Sequence, residues 1–193
     1  MGFSQLPPFA AWRHCGAREG FEVVFPRAVG DGYVFEGQTT AVEAGEAWAV
    51  EYAISIDRNW VTRSARVMGR SGSGRRELTV EAEGEGAWRI DGAATSGLDG
   101  CVDVDLESSS LTNAFPVHRL ALEVGQTAEA PAAYIRALDL SVERLEQRYR
   151  RIEDEGQRQR FDYSAPQFDF RCQLVYDESG LVLDYPGIAV RAA

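Results

Sequence analysis

Apolar and polar residues alternate along most of the chain. Trp48, Val50, Tyr52 and Ile54 alternate with Ala47, Ala49, Glu51 and Ala53. The same period recurs at Leu78, Val80 and Ala82, at Val102, Val104 and Leu106, and at Leu120, Leu122 and Val124. Phe168 and Phe170, followed by Leu174 and Tyr176, extend it towards the C-terminal end. A period of two is the mark of strands with one face buried. Gly30-Asp31-Gly32, Ser71-Gly72-Ser73-Gly74, Gly84-Glu85-Gly86 and Asp177-Glu178-Ser179-Gly180 punctuate these runs. Such turns are too short for parallel crossovers, so the strands are expected to pair antiparallel. One stretch breaks the pattern. Val142, Leu145, Tyr149 and Ile152 recur at helical spacing, with Ser141 placed to cap and Gly156 to stop. The spacing predicts a helix over 142–154, although Leu138, Leu140 and Val142 also alternate. With no internal repeat and no long Pro/Gly linker, residues 1–193 are expected to form one mainly β domain with a single helix.

Composition narrows the class of function. The 193 residues carry 30 acidic and 20 basic side chains, a net charge of −10. That balance opposes nonspecific nucleic-acid binding and attachment to anionic membrane surfaces. Every basic residue other than the two histidines is Arg, which excludes lysine Schiff-base chemistry and a phosphate loop built on Lys. Cys15, Cys101 and Cys172 are scattered and odd in number, so no disulfide framework is expected. Residues Met1–Pro8 have no basic and apolar leader pattern, and no apolar run approaches a membrane span. A cytoplasmic setting without stable membrane insertion is the expectation.

Most catalytic templates are missing. His14 and His118 belong to no metal-ligand spacing, Gly72-Ser73-Gly74 is no nucleophile elbow, and no Gly-rich dinucleotide loop opens a helix. A calcium loop starting at Asp103 fails at Ser108 and Ala114. Neither a metal nor a cofactor is therefore expected. Two features remain. In Gly97-Leu98-Asp99-Gly100-Cys101-Val102-Asp103-Val104-Asp105-Leu106-Glu107, alternation places Asp103, Asp105 and Glu107 on one strand face. Three carboxylates in a row repel one another, and a cation such as Arg119, on a neighbouring predicted strand, or a hydroxyl-rich ligand would relieve them. The plain alternative is a solvated face. Secondly, Trp60, Trp88 and Tyr185 sit beside charged residues, Trp60 between Asp57 and Arg63. Aromatic faces with carboxylates suit a sugar, and ordinary core packing is the competing reading.

Several motifs fall into one order. They are Asp57-Arg58-Asn59-Trp60-Val61-Thr62-Arg63, Gly86-Ala87-Trp88 with Asp91-Gly92, the Gly97–Leu106 block, Thr112-Asn113-Ala114-Phe115-Pro116-Val117-His118-Arg119-Leu120, and Gly180-Leu181-Val182-Leu183-Asp184-Tyr185-Pro186-Gly187. In this order the chain resembles the bacterial putative glycolipid-binding family over roughly residues 20–191. The resemblance implies a long antiparallel sheet wrapped as a half-barrel around a single helix, a homodimer, and a shape akin to lipid-carrying lipoprotein localisation factors. It further implies an acidic pocket with Asp103 and Asp105 as its carboxylates and Asn113 and Arg119 as polar neighbours. Two positions depart from the family pattern: Glu107-Ser108-Ser109-Ser110 replaces a Thr-Pro pair, and His118 replaces an Arg.

The expected function is non-enzymatic binding of a glycolipid or other sugar-bearing amphiphile through Asp103, Asp105, Asn113, Arg119, Trp60, Arg63, Trp88 and Tyr185. A glycoside-acting enzyme using Asp103 and Asp105 and a dimeric interaction module without a small ligand are the alternatives. An anionic head group fits poorly with the net charge, which favours a neutral, hydroxyl-rich or cationic one.

Overall fold

The structure is a computed structural model describing residues 3–84 and 86–193. Met1, Gly2 and Glu85 lie outside the described residues, and with them the start of the N-terminal segment and the centre of the Gly84–Gly86 turn. Eight strands follow one another as an antiparallel meander: β1 (Ala10–His14), β2 (Arg18–Val29), β3 (Gly32–Glu43), β4 (Glu46–Ile56), β5 (Thr62–Ser71), β6 (Gly74–Gly84), β7 (Ala87–Ile90) and β8 (Ala93–Thr95). The turn signals at Gly30–Gly32 and Ser71–Gly74 join β2 to β3 and β5 to β6, as the alternation predicts. The chain then leaves the sheet. It forms β9 (Asp103–Leu106), a 3-10 turn at Leu111–Asn113, the helix α1 (Ala114–Leu120), β10 (Thr127–Glu129), β11 (Ala132–Ile135) and β12 (Val142–Leu145). A second meander closes the chain: β13 (Arg148–Glu155), β14 (Arg158–Ala165), β15 (Phe170–Tyr176), β16 (Val182–Tyr185) and β17 (Ala189–Arg191).

The two meanders make one 14-stranded sheet, in the order β10-β13-β14-β15-β16-β17-β1-β2-β3-β4-β5-β6-β7-β8. Their seam is β17 against β1, with Trp12 opposite Arg191 and His14 opposite Ala189. The sheet is long, antiparallel and not closed into a barrel. The segment between the meanders packs against its inner face. There β12, β11 and β9 form a three-stranded sheet, in which β9 runs parallel to β11. Thr62 of β5 accepts the backbone N–H of Val104 through its hydroxyl, and Thr39 of β3 donates to the Ser108 carbonyl. Phe115 of α1 packs its ring 5.3 Å from that of Phe35.

Three expectations are corrected. Residues 142–154 are not a helix but β12 and most of β13. Leu145, Gln147, Tyr149 and Arg151 are buried while Glu146, Arg148 and Arg150 are exposed, a period of two. Two of the four inward positions carry polar residues, so the apolar residues left over imitate a helical stripe. The helix lies instead at Ala114–Leu120, and Arg119 belongs to it rather than to a strand. Leu122 and Val124 follow it in a loop. Third, β9 has no solvated face, because all four of its residues are buried.

Candidate functional site

A buried strand rich in carboxylates must satisfy them internally, and β9 does so. Asp103, 2% exposed, receives both carboxylate oxygens' bonds from Arg119, whose Nε donates at 3.2 Å and whose Nη2 holds the other oxygen. The sequence-derived Asp103–Arg119 partnership is thus present, with the cation supplied by α1. Asp105 has no such cation. Thr112 Oγ1 donates to Oδ1 at 2.7 Å and Gln147 Nε2 to Oδ2 at 2.5 Å. Burial, reinforced by the charges of Asp103 and Glu107, raises its pKa to about 6.

Asp105 lines a cleft of about 320 Å³ between the inner segment and the strands flanking the seam. Its wall is aromatic: Tyr134, Tyr163, Phe168, Phe170 and Tyr185. Tyr163, Phe170 and Tyr185 pack edge to face, with centroids 5.9–6.2 Å apart. Arg18, Glu107, Ser109 and Asn113 add polar groups. Asn113 is fixed by two phenols, since Tyr149 donates to its Oδ1 at 2.9 Å and Tyr176 to its carbonyl at 3.1 Å. Behind Ser109 lies Glu22, fully buried on β2. Its carboxylate accepts from Tyr52 at 2.6 Å, from Ser110 N at 2.7 Å and from Ser109 Oγ. Burial pushes the Glu22 carboxyl up, while these donors pull it back.

The residues proposed from sequence separate in space. Asp105, Asn113 and Tyr185 share the aromatic cleft, with the Asp103–Arg119 pair adjoining on β9 and α1. Trp88 fills the core, its Nε1 donating to the Cys101 carbonyl at 3.0 Å. Arg63 pairs with Asp57 at the exposed β4–β5 turn. Trp60 sits in that turn at φ 62°, a left-handed conformation held by Asp57, which accepts from the backbone of Asn59 and Val61. Its ring stacks on His118 at 3.5 Å and lines a second, open crevice of about 660 Å³ with Tyr33, Phe161 and Arg151. Burial lowers the His118 pKa to about 3, so the imidazole is neutral, and its Nε2–H donates to the Ser179 carbonyl at 3.1 Å. Asp105 lines the cleft and Asp103 is not among its lining residues, both oxygens of Asp103 being held by Arg119.

Sequence reasoning did not single out Glu22, Gln147, Tyr134 or Tyr163. Glu22 had a signal, being one acid within the apolar run Phe21–Phe25. Gln147 had none.

Comparison with known proteins assigns the family. The model of a family described as putative glycolipid-binding matches residues 9–191. The chain belongs to the putative glycolipid-binding family. A crystal structure of a DUF1089 family protein from Pseudomonas aeruginosa is 31% identical to this glycolipid-binding family member, covers 97% of each chain and gives a TM-score of 0.75. A β-barrel-like protein of the domain of unknown function DUF1849 from Brucella abortus is 8% identical. It covers 97% of this chain and 95% of its own, with a TM-score of 0.53. That second likeness is one of fold alone. No curated protein matches in sequence. Among the described residues no helix is long and apolar enough to cross a membrane, and no cluster of metal-ligating side chains occurs.

Proposed function

We propose that the protein binds an amphiphile of the glycolipid kind, without turnover, in the aromatic cleft between β9 and the second meander. The observation that carries this reading is the pairing of an apolar, ring-lined wall with one buried carboxylate, Asp105, at its edge. Apolar lining with few placed polar groups is the usual make-up of a small-molecule site. Rings stack on the apolar face of a sugar or along an acyl chain, and carboxylate and amide oxygens accept from hydroxyls. Tyr185 and Asn113 belong to this site, with Arg119 holding Asp103 in place. Trp60 belongs to the separate crevice. The test is native mass spectrometry of protein purified without detergent from a bacterial host, with lipid extraction of the same sample. The expected result is a stoichiometric adduct of several hundred daltons, lost in Tyr185→Ala. A clean protein mass, unaltered by incubation with a panel of glycolipids, would refute it.

The expected homodimer has a candidate face. Phe21, Val23 and Phe25 alternate on β2 with the buried Glu22 and Val24, so they share the sheet's outer side. Phe25 is 53% exposed. A contiguous apolar stripe of this kind suits a second copy laid against it. Sedimentation equilibrium should give a dimer for the wild type and a monomer for Phe25→Asp; a wild-type monomer sinks the proposal.

A further inference from the structure

The charges around the aromatic cleft do not balance. Arg18 lies 3.3 Å from Glu43 and 3.9 Å from Glu107, and donates to the Glu107 carbonyl at 2.7 Å. Arg136 lies 2.6 Å from Glu143 and 3.6 Å from Glu107. Two guanidinium groups thus serve three carboxylates. Arg119 is taken up by Asp103. Asp105 is left with two neutral donors and no ion-pair partner, while the charges of Asp103 and Glu107 acting on it are both negative. A buried anion without a cation is costly, and a bound positive charge would repay that cost.

The wall around this carboxylate is suited to a cation. Three tyrosines, Tyr134, Tyr163 and Tyr185, line the cleft together with Asp105. Aromatic faces attract organic cations through the ring quadrupole. The chain already uses this interaction at the cleft, where the guanidinium of Arg136 lies 5.2 Å from the ring centroids of both Tyr134 and Phe168. Tyr163, Phe170 and Tyr185 have no such partner among the described cation–ring contacts.

We infer that the cleft selects an amphiphile whose head bears a positive charge, an amine or quaternary ammonium, with that charge set against Asp105 and the tail along the rings of Tyr163, Phe170 and Tyr185. The inference rests on the proposed binding role and names the head-group class that role would take. It distinguishes an organic cation from an uncharged sugar head, which needs only hydroxyl acceptors.

The experiment is isothermal titration of the full chain at pH 8 with octyltrimethylammonium, octyl glucoside and tetramethylammonium, each below its micellar concentration. The ammonium amphiphile should bind at least tenfold tighter than the glucoside. Asp105→Asn should weaken ammonium binding at least tenfold and remove that advantage, with circular dichroism and a cooperative urea transition showing that the variant is folded. Tetramethylammonium should bind measurably if the charge alone is recognised, and at least tenfold more weakly than the amphiphile if the tail lies in the cleft. A second readout needs no variant. Ionisation of Asp105 near pH 6 should make the ammonium amphiphile bind about tenfold more weakly at pH 5 than at pH 8. The other ionisable groups lining the cleft are Cys15, Arg18, Glu107, Tyr134, Tyr163 and Tyr185, with Glu22 behind Ser109, the Asp103–Arg119 pair adjoining, Arg136 over Tyr134, and Tyr149 and Tyr176 on Asn113. Of these, Glu22 and Asp103 are carboxyls that burial pushes up, and both act in the same direction as Asp105. Glucoside binding equal to or tighter than ammonium binding at pH 8 overturns the inference and leaves the binding role standing. No binding of any of the three probes overturns both.

Discussion

Asp105 shows how a single side chain can be kept at a cost to stability. Its pKa of about 6 lies above that of an unfolded aspartate. Between about pH 4 and pH 6 the native state therefore holds a proton that the unfolded chain has lost. Unfolding free energy falls as pH rises through this window, by about 3 kcal/mol for this one group. Above pH 6 the deficit is fully present. Asp105→Asn keeps an acceptor for Thr112 and, after an amide flip of Gln147, a donor–acceptor match there as well. The variant is expected to be more stable than the wild type at pH 8 by up to that amount. The two should converge only below about pH 4, as read from urea midpoints at pH 8 and at about pH 3.5. Equal midpoints at pH 8 would mean that Asp105 is not strained by burial. Residues retained against stability are commonly retained for binding, the trade-off familiar from functional sites. Gly37 is a second residue fixed by its surroundings. A Cβ there would lie 2.3 Å from the Tyr52 ring, so the glycine on β3 is what lets Tyr52 of β4 cross the sheet face and reach Glu22.

At the level of elements, the alternation along β4 and β6 was legible because each strand presents apolar residues inward and mostly polar or small ones outward. The antiparallel meander and its hairpin turns followed from that pattern. β12 and β13 were not legible, since Gln147 and Arg151 occupy inward positions. Gln147 is spent on Asp105, and Arg151 donates towards Asp154 while lying 5.0 Å from the Phe161 ring. Of the two polar residues that hid the strand, Gln147 builds the site and Arg151 lines the separate crevice. α1 was hidden for another reason. Two turns interrupted by Pro116 are too short to show helical periodicity, and its apolar residues face two different clusters, Phe115 one and Val117 the other. β9 was found by its motif, and its carboxylates drew notice for their mutual repulsion. Its burial on both faces was not foreseeable, because no local pattern reveals that a strand will be enclosed by a sheet drawn from the rest of the chain. The partners Tyr134, Gln147 and Tyr163 come from β11, the residue before β13, and β14, and only the tertiary fold brings them to Asp105.

At the scale of the molecule, both chain ends meet in the middle of the sheet. β1 and β17 pair, the Arg191 guanidinium lies 4.9 Å from the Trp12 ring, and Trp12 Nε1 donates to the Val182 carbonyl at 2.7 Å. The free edges of the sheet are β8 and β10. Every other neighbouring pair from β13 to β17 and from β1 to β8 is consecutive along the chain. The one pairing that spans nearly the whole length is the seam, and it is the pairing with the largest loop-closure entropy to overcome. During synthesis the first eight strands are complete long before their partner β17 exists, so the β1 edge waits open until the last residues arrive. Linking the ends with a glycine-serine segment and opening the chain between Ser96 and Gly97 would remove this wait. The permuted order would run from β9 through β17 directly into β1 and on to β8, making thirteen strands of the sheet one uninterrupted meander. Topology then favours quicker folding. Stopped-flow refolding of the permutant should be about tenfold faster than that of the parent. An unchanged rate would place the slow step elsewhere, in the enclosure of β9 rather than in the meeting of the ends.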